Sequence, residues 1–134
     1  MHDRKATAKG VRQAIGRKNP NLPFHPGVRA GDFIFVSGQV AKDADNNMVE
    51  GSIEVETRAT IETIERIIAQ EGATLADVVR ATTYLQDTRD FGRYNKVFGE
   101  MFKDAILART TVEARAVINT KIEIECIVYK PLKK

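Results

Sequence analysis

The chain predicts an α+β domain with the element order β-β-β-α-β-α-β-β, a mixed sheet carrying two helices on one face. Three observations predict it. Two segments, ending near Ile68 and Phe102, repeat apolar residues at helical spacing. Runs of β-branched and aromatic residues stand before, between and after them. Turn residues punctuate the joins, as at Gly31-Asp32 and Asn46-Asn47.

Pro20, Pro23 and Pro26 hand the chain into the domain in extended form. Phe33–Val40 then reads as a strand, and the polar turn around Asn46-Asn47 predicts a hairpin with a short strand near Met48. Ile53, Ile61, Ile64 and Ile68 mark the first helix, with Ser52 as N-cap, Glu54 and Glu56 in the favourable first turn, and Gly72 as C-cap. Val78–Leu85 is a β-branched strand. Phe91, Tyr94, Phe98, Met101 and Phe102 mark the second helix, capped by Asp87 or Thr88. Arg109–Ala116 and Lys121–Tyr129 are the last two strands.

The parity of those two strands frames the functional question. Val112, Ala114 and Ala116, with Ile122, Ile124, Cys126 and Val128, predict one apolar face toward the helices. The other parity holds Arg109, Thr111, Glu113 and Arg115, then Glu123, Glu125, Ile127 and Tyr129. Phe33, Phe35, Ser37 and Gln39 repeat the theme, as do Arg80, Thr82 and Tyr84. That face is too aromatic to be freely solvated and too charged for a plain core. Two helices cover one side of a sheet, so packing against further copies of the chain is the expectation.

Bulk composition narrows the class. With 134 residues, 43% of them hydrophobic and 29% charged, the chain has the makings of a single globular domain. No apolar run approaches the ~20 residues of a membrane span, and the N-terminus lacks a signal-like apolar stretch. A cytoplasmic protein is expected. The lone Cys126 has no internal disulfide partner, and its place in an apolar parity predicts a buried, inert thiol. Of the net charge of +3, residues 1–19 carry +5, from six basic side chains against Asp3, which leaves −2 for residues 20–134. Residues 1–19 therefore read as a basic, partly disordered extension and 20–134 as the domain. An acidic body argues against a nucleic-acid surface.

Five stretches, "RAGDFIFVSGQV", "EGATLADVVRATTYLQD", "RDFGRYNKVF", "ARTTVEA" and "KIEIECIVY", resemble the RidA/YjgF family in that family's order, from about Pro23 to Tyr129. The resemblance implies a chorismate-mutase-like fold assembled as a homotrimer, with a central barrel of sheets, helices outside and three sites between subunits. It implies hydrolysis of reactive enamines or imines, of the 2-iminobutanoate and 2-iminopropanoate type, to 2-oxo acids and ammonia, with no cofactor and no metal. Some relatives carry the label of L-PSP-type endoribonuclease.

Carried onto this chain, the resemblance implies two catalytic residues. Arg109 would grip the substrate carboxylate, a task that suits a planar bidentate donor better than lysine. Glu123 would position water and move protons. Substrate-binding positions follow at Ser37, Gly38, Asn95 and Thr111, and at Phe24, which stands where relatives have a tyrosine. Leu107 replaces a proline common before "AR", and "AVINT" lacks a Leu-Pro. These changes touch the pocket rim and bear on substrate preference, opening the way to a larger or ring-opened amino acid intermediate.

A geometric constraint remains. Were the last two strands a tight hairpin centred near Asn119, Glu123 would lie six positions along from Arg109, roughly 20 Å at ~3.3 Å per residue. A shared site then needs either a non-hairpin arrangement or a glutamate from another subunit. A non-catalytic protein binding 2-oxo acids on the same trimer is the alternative reading. A ribonuclease ranks last, since the matched region holds no histidine pair.

Overall fold

The computed structural model describes residues 5–7 and 10–133, with side chains from residue 12 onward. Strands β1 (Lys5–Thr7), β2 (Gly10–Ile15), β3 (Gly27–Ala30), β4 (Phe33–Gln39), β5 (Val78–Leu85), β6 (Ala108–Glu113) and β7 (Ile122–Tyr129) form one sheet, in the order β1-β2-β3-β4-β7-β5-β6. Helices α1 (Ile53–Ala69) and α2 (Phe91–Met101) complete the α+β architecture. Neighbouring strands are antiparallel except β5 and β6, whose parallel pairing requires a crossover, supplied by α2.

Helix α1 starts where its cap chemistry places it. The Ser52 Oγ accepts the Val55 N–H at 3.2 Å. Gly72, at φ 72°, turns the chain so that the Ala73 N–H reaches the Ile68 carbonyl at 3.2 Å. The helix buries Ile61, Ile64 and Ile68 against Ile34 and Val36 of β4 and Ile122, Ile124, Cys126 and Val128 of β7. Tyr94, Phe98 and Phe102 of α2 extend the same core. Both helices therefore lie on one face. The opposite face carries Phe33, Phe35 and Tyr129, exposed by 41%, 45% and 46%. No helix among the described residues is long and apolar enough to cross a membrane.

Two expectations change. The strand expected near Met48 is a single bridge between Met48 and Lys42. Here the Asp43 carboxylate accepts the N–H groups of Asp45 and Asn47, both at 2.9 Å, and so holds the backbone as a turn instead of a ladder. Within the stretch that charge marks as an extension, Gly10–Ile15 is a sheet strand paired with β3. Its inward residues are Gln13 and Ile15, both buried. The Gln13 amide donates to Glu71 at 3.1 Å, and Arg29 Nε donates to the same carboxylate at 2.6 Å. A polar residue at an inward position hides the strand's alternation from a sequence reading. Residues 1–4 and 8–9 of that stretch lie outside the described residues.

Candidate active site

Arg109 sits on β6, the edge strand, in register with Ala81 of β5. Ala81 faces the helices, so Arg109 does too. Its guanidinium carbon lies 4.8 Å from the Phe98 ring centroid, 5.2 Å from Tyr94 and 5.8 Å from Phe91, all on α2. Each distance is within cation–π range. Among the described residues, no hydrogen bond or ion pair takes its N–H groups. Thr111, two residues along the same strand face, meets the Tyr94 hydroxyl at 2.9 Å. Asn95 follows Tyr94 on α2 and is exposed.

A second group gathers on the other face. The register of β4 with β7 shifts between Val36 and Gln39, a bulge that contains Ser37 and Gly38. The Glu123 carboxylate occupies the space that a Cβ on Gly38 would overlap. Ser37 Oγ donates to the His25 carbonyl at 2.7 Å, and the Ser37 N–H donates to the Pro26 carbonyl at 2.9 Å. These bonds tie the segment bearing the exposed Phe24 to the bulge. Burial raises the Glu123 carboxyl above its ordinary value, and the neighbouring Glu125 adds to the rise. Glu125 itself accepts the Tyr84 hydroxyl at 2.6 Å.

The seven expected site residues thus form two groups, not one. Arg109, Thr111 and Asn95 belong to the β6–α2 side. Glu123, Gly38, Ser37 and Phe24 belong to the open side. No hairpin joins the last two strands, because β5 lies between them. Ala81 pairs with both Arg109 and Cys126, and Tyr84 pairs with both Val112 and Glu123. Arg109 and Glu123 are therefore three positions apart along the strands and two strands apart, on the order of 14 Å between Cα atoms. They also project from opposite faces.

This corrects the expected parity of β6. Arg109, Thr111 and Glu113 face α2, whereas Val112 is 40% exposed on the open face. There too, Arg80 Nη2 donates to Thr110 Oγ1 at 2.7 Å. The reason is positional. An edge strand is half covered on either side, so its register with β5 selects the face more than its own apolar pattern does.

Tyr94 is the residue the sequence reading missed, counted there as part of an apolar stripe. It is fully buried, and its hydroxyl donates to Thr83 Oγ1 at 2.8 Å. The available signal was chemical: a tyrosine in a core stripe needs a partner for its O–H, and two strands nearby carry threonines. For metals, the described residues include no group of three or more His, Cys, Asp or Glu able to hold an ion.

The family model described as "Endoribonuclease L-PSP" matches residues 15–130. A RutC family protein of Pyrococcus abyssi is 40% identical over 113 residues, covering 83% of this chain and 89% of the relative. Protein mmf2 of Schizosaccharomyces pombe, named as mitochondrial, is 40% identical over 109 residues, covering 78% of this chain and 86% of the relative. A crystal structure of a Rid family protein of unknown function from Yersinia pestis aligns with a TM-score of 0.80 at 27% identity, covering 88% of this chain and 98% of that one.

Proposed function

The chain belongs to the endoribonuclease L-PSP family, the RidA/YjgF group, and from that premise we propose that it hydrolyses reactive imines and enamines of small amino acids to 2-oxo acids and ammonia. The substrates are of the 2-iminobutanoate and 2-iminopropanoate type. The observation that carries the reading is Arg109, a half-buried guanidinium on three aromatic rings with no described carboxylate to neutralise it. Such a group has its planar donor fork free for an incoming carboxylate.

The reaction needs a water, a proton acceptor and a proton donor. Glu123 suits the last two in turn, acceptor and then donor, beside a bound water. It accepts a proton from water as the oxygen attacks the C=N carbon. It returns that proton to nitrogen, giving a carbinolamine. It then carries the hydroxyl proton to the amine as the C–N bond breaks and the C=O bond forms, so that one water is consumed and one ammonia leaves. An enamine first takes a proton on carbon and gives one up from nitrogen to become the imine. A carboxyl held above its ordinary value exchanges protons more readily near neutrality than a fully solvated one. This chemistry calls for no cofactor.

Arg109 and Glu123 stand on opposite faces within one chain, so the proposal includes a homotrimer in which each site takes Arg109 from one subunit and Glu123 from its neighbour. The open face with Phe33, Phe35 and Tyr129 supports that assembly. Cys126, buried, with its thiol pushed up to about 12 by burial and by Glu125, suits the reducing cytoplasm.

Replacing Arg109 with alanine tests the assignment. Two charge-assisted hydrogen bonds at about 1.5–3 kcal/mol each predict a loss in kcat/KM of roughly 100-fold or more on enzymatically generated 2-iminobutanoate. Unchanged turnover would remove Arg109 from the mechanism. A second reading, 2-oxo acid binding without turnover, is favoured by the placement of Glu123 on the sheet face opposite Arg109 within one chain. Tight 2-oxobutanoate binding with no acceleration of imine decay would select it.

A further inference from the structure

We propose that Tyr94 is a positioning residue for Arg109, its ring supporting the guanidinium and its hydroxyl locking that ring against β5 and β6. The inference rests on the reading of Arg109 as the carboxylate-binding group. An arginine on an edge strand with no acceptor for its N–H groups among the described residues would sample many rotamers, and each would have to be given up on binding an anion. What restrains this one is α2.

Three rings lie within cation–π range, and Tyr94 is the middle one. Its centroid is 5.9 Å from that of Phe91 and 5.8 Å from that of Phe98, tilted by 58° and 61°. Phe91 is 43% exposed and Phe98 is held by apolar packing alone. Tyr94 alone among the three has directional bonds, to Thr83 at 2.8 Å and Thr111 at 2.9 Å. Those threonines are register partners on adjacent strands. One hydroxyl thereby fixes α2 against the strand pair, two residues from Arg109 and on the same face.

Packing alone does not call for this arrangement. A phenylalanine above two valines would fill the same space with no buried polar atom to satisfy. Here the hydroxyls of Thr83 and Thr111 both bond to that of the buried Tyr94, beneath a cation with no ion-pair partner among the described residues. The result is a guanidinium held in place before any ligand arrives, with the ordering entropy already lost in the free protein.

The test compares wild type, Tyr94→Phe, Tyr94→Leu, Thr111→Val and Arg109→Ala in the full chain. Calorimetric Kd for 2-oxobutanoate, KM and kcat for 2-iminobutanoate, and the melting temperature are read together. Tyr94→Phe and Thr111→Val keep the rings and loosen the lock, and are expected to raise Kd and KM about 3- to 10-fold with a smaller change in kcat. Tyr94→Leu removes the central ring and is expected to raise them by roughly 10-fold or more. In wild type one arginine Nε–H resonance, identified by its loss in Arg109→Ala, is expected to carry a ring-current shift that collapses in Tyr94→Leu. Should Tyr94→Leu fail to fold, Tyr94→Phe and Thr111→Val decide. If Arg109→Ala binds 2-oxobutanoate as wild type does, the carboxylate reading fails and this inference with it. If Arg109→Ala loses binding while the folded Tyr94 and Thr111 variants keep wild-type Kd and KM, with only a lower melting temperature, Tyr94 is structural and this inference alone is overturned.

Discussion

Glu123 lies over the one position in the β4 bulge that has no side chain to displace it. That fit explains the pairing of a glycine with a glutamate from strands far apart in sequence, and it sets a measurable pH behaviour. Burial and Glu125 raise the Glu123 carboxyl above its ordinary 4.5. The native chain therefore keeps this proton at pH values where the unfolded chain has released it. The group's contribution to stability falls as pH rises from 4.5 through the higher native value, and stays lower above it. Glu123→Gln should gain stability relative to wild type between pH 4 and pH 7, measured by urea unfolding, while losing roughly 100-fold in imine turnover. A stability difference that does not change with pH would contradict this account. The candidates Arg109, Glu123, Gly38 and Ser37 could be named from the motifs in which they stand. Their grouping could not, because which face a residue meets depends on strands elsewhere in the chain.

At the scale of elements, the helices were the most legible. Ser52 caps α1 and Ile61, Ile64 and Ile68 form its buried stripe, both written in local spacing. Ile64 is fully buried between sheet and helix. Ile64→Ala should cost about 2–5 kcal/mol in urea unfolding, through lost transfer energy and the cavity left behind. A cost under about 1 kcal/mol would mean that the core closes over the gap. Strand β5 was equally legible, since it is paired on both sides and alternates clearly from Ala81 to Leu85. Strands β2 and β6 were not. Each departs from the simple apolar alternation, β2 through the inward Gln13 and β6 through the inward Arg109 and Thr111. In both cases the polar inward residue has a specific counterpart, Glu71 for Gln13 and the α2 rings for Arg109.

For the whole molecule, the proposed trimer assigns to the open sheet face the task of bringing the two residue groups together. Phe33 and Tyr129 pack against each other at 5.3 Å between ring centroids, and Phe35 stands beside them on the same face. A carboxylate set into that cluster would oppose burial against another copy. With the proposed trimer built on this face, wild type is expected to sediment as a trimer and Phe35→Asp as a monomer that loses imine hydrolysis although Arg109 and Glu123 are intact. A variant that stays trimeric would move the interface off this face.

The sequence by itself determined the class of the domain, its two helices, its central strands and the residue types of the candidate chemistry. These depend on spacing along the chain, and spacing survives without a fold. Only the tertiary structure decided that β5 separates β6 from β7, that Arg109 turns toward α2, and that Tyr94 lies beneath it. Strand order and facing are set by which surfaces exclude water together. That is a property of segments brought into contact across the chain, and no local pattern records it.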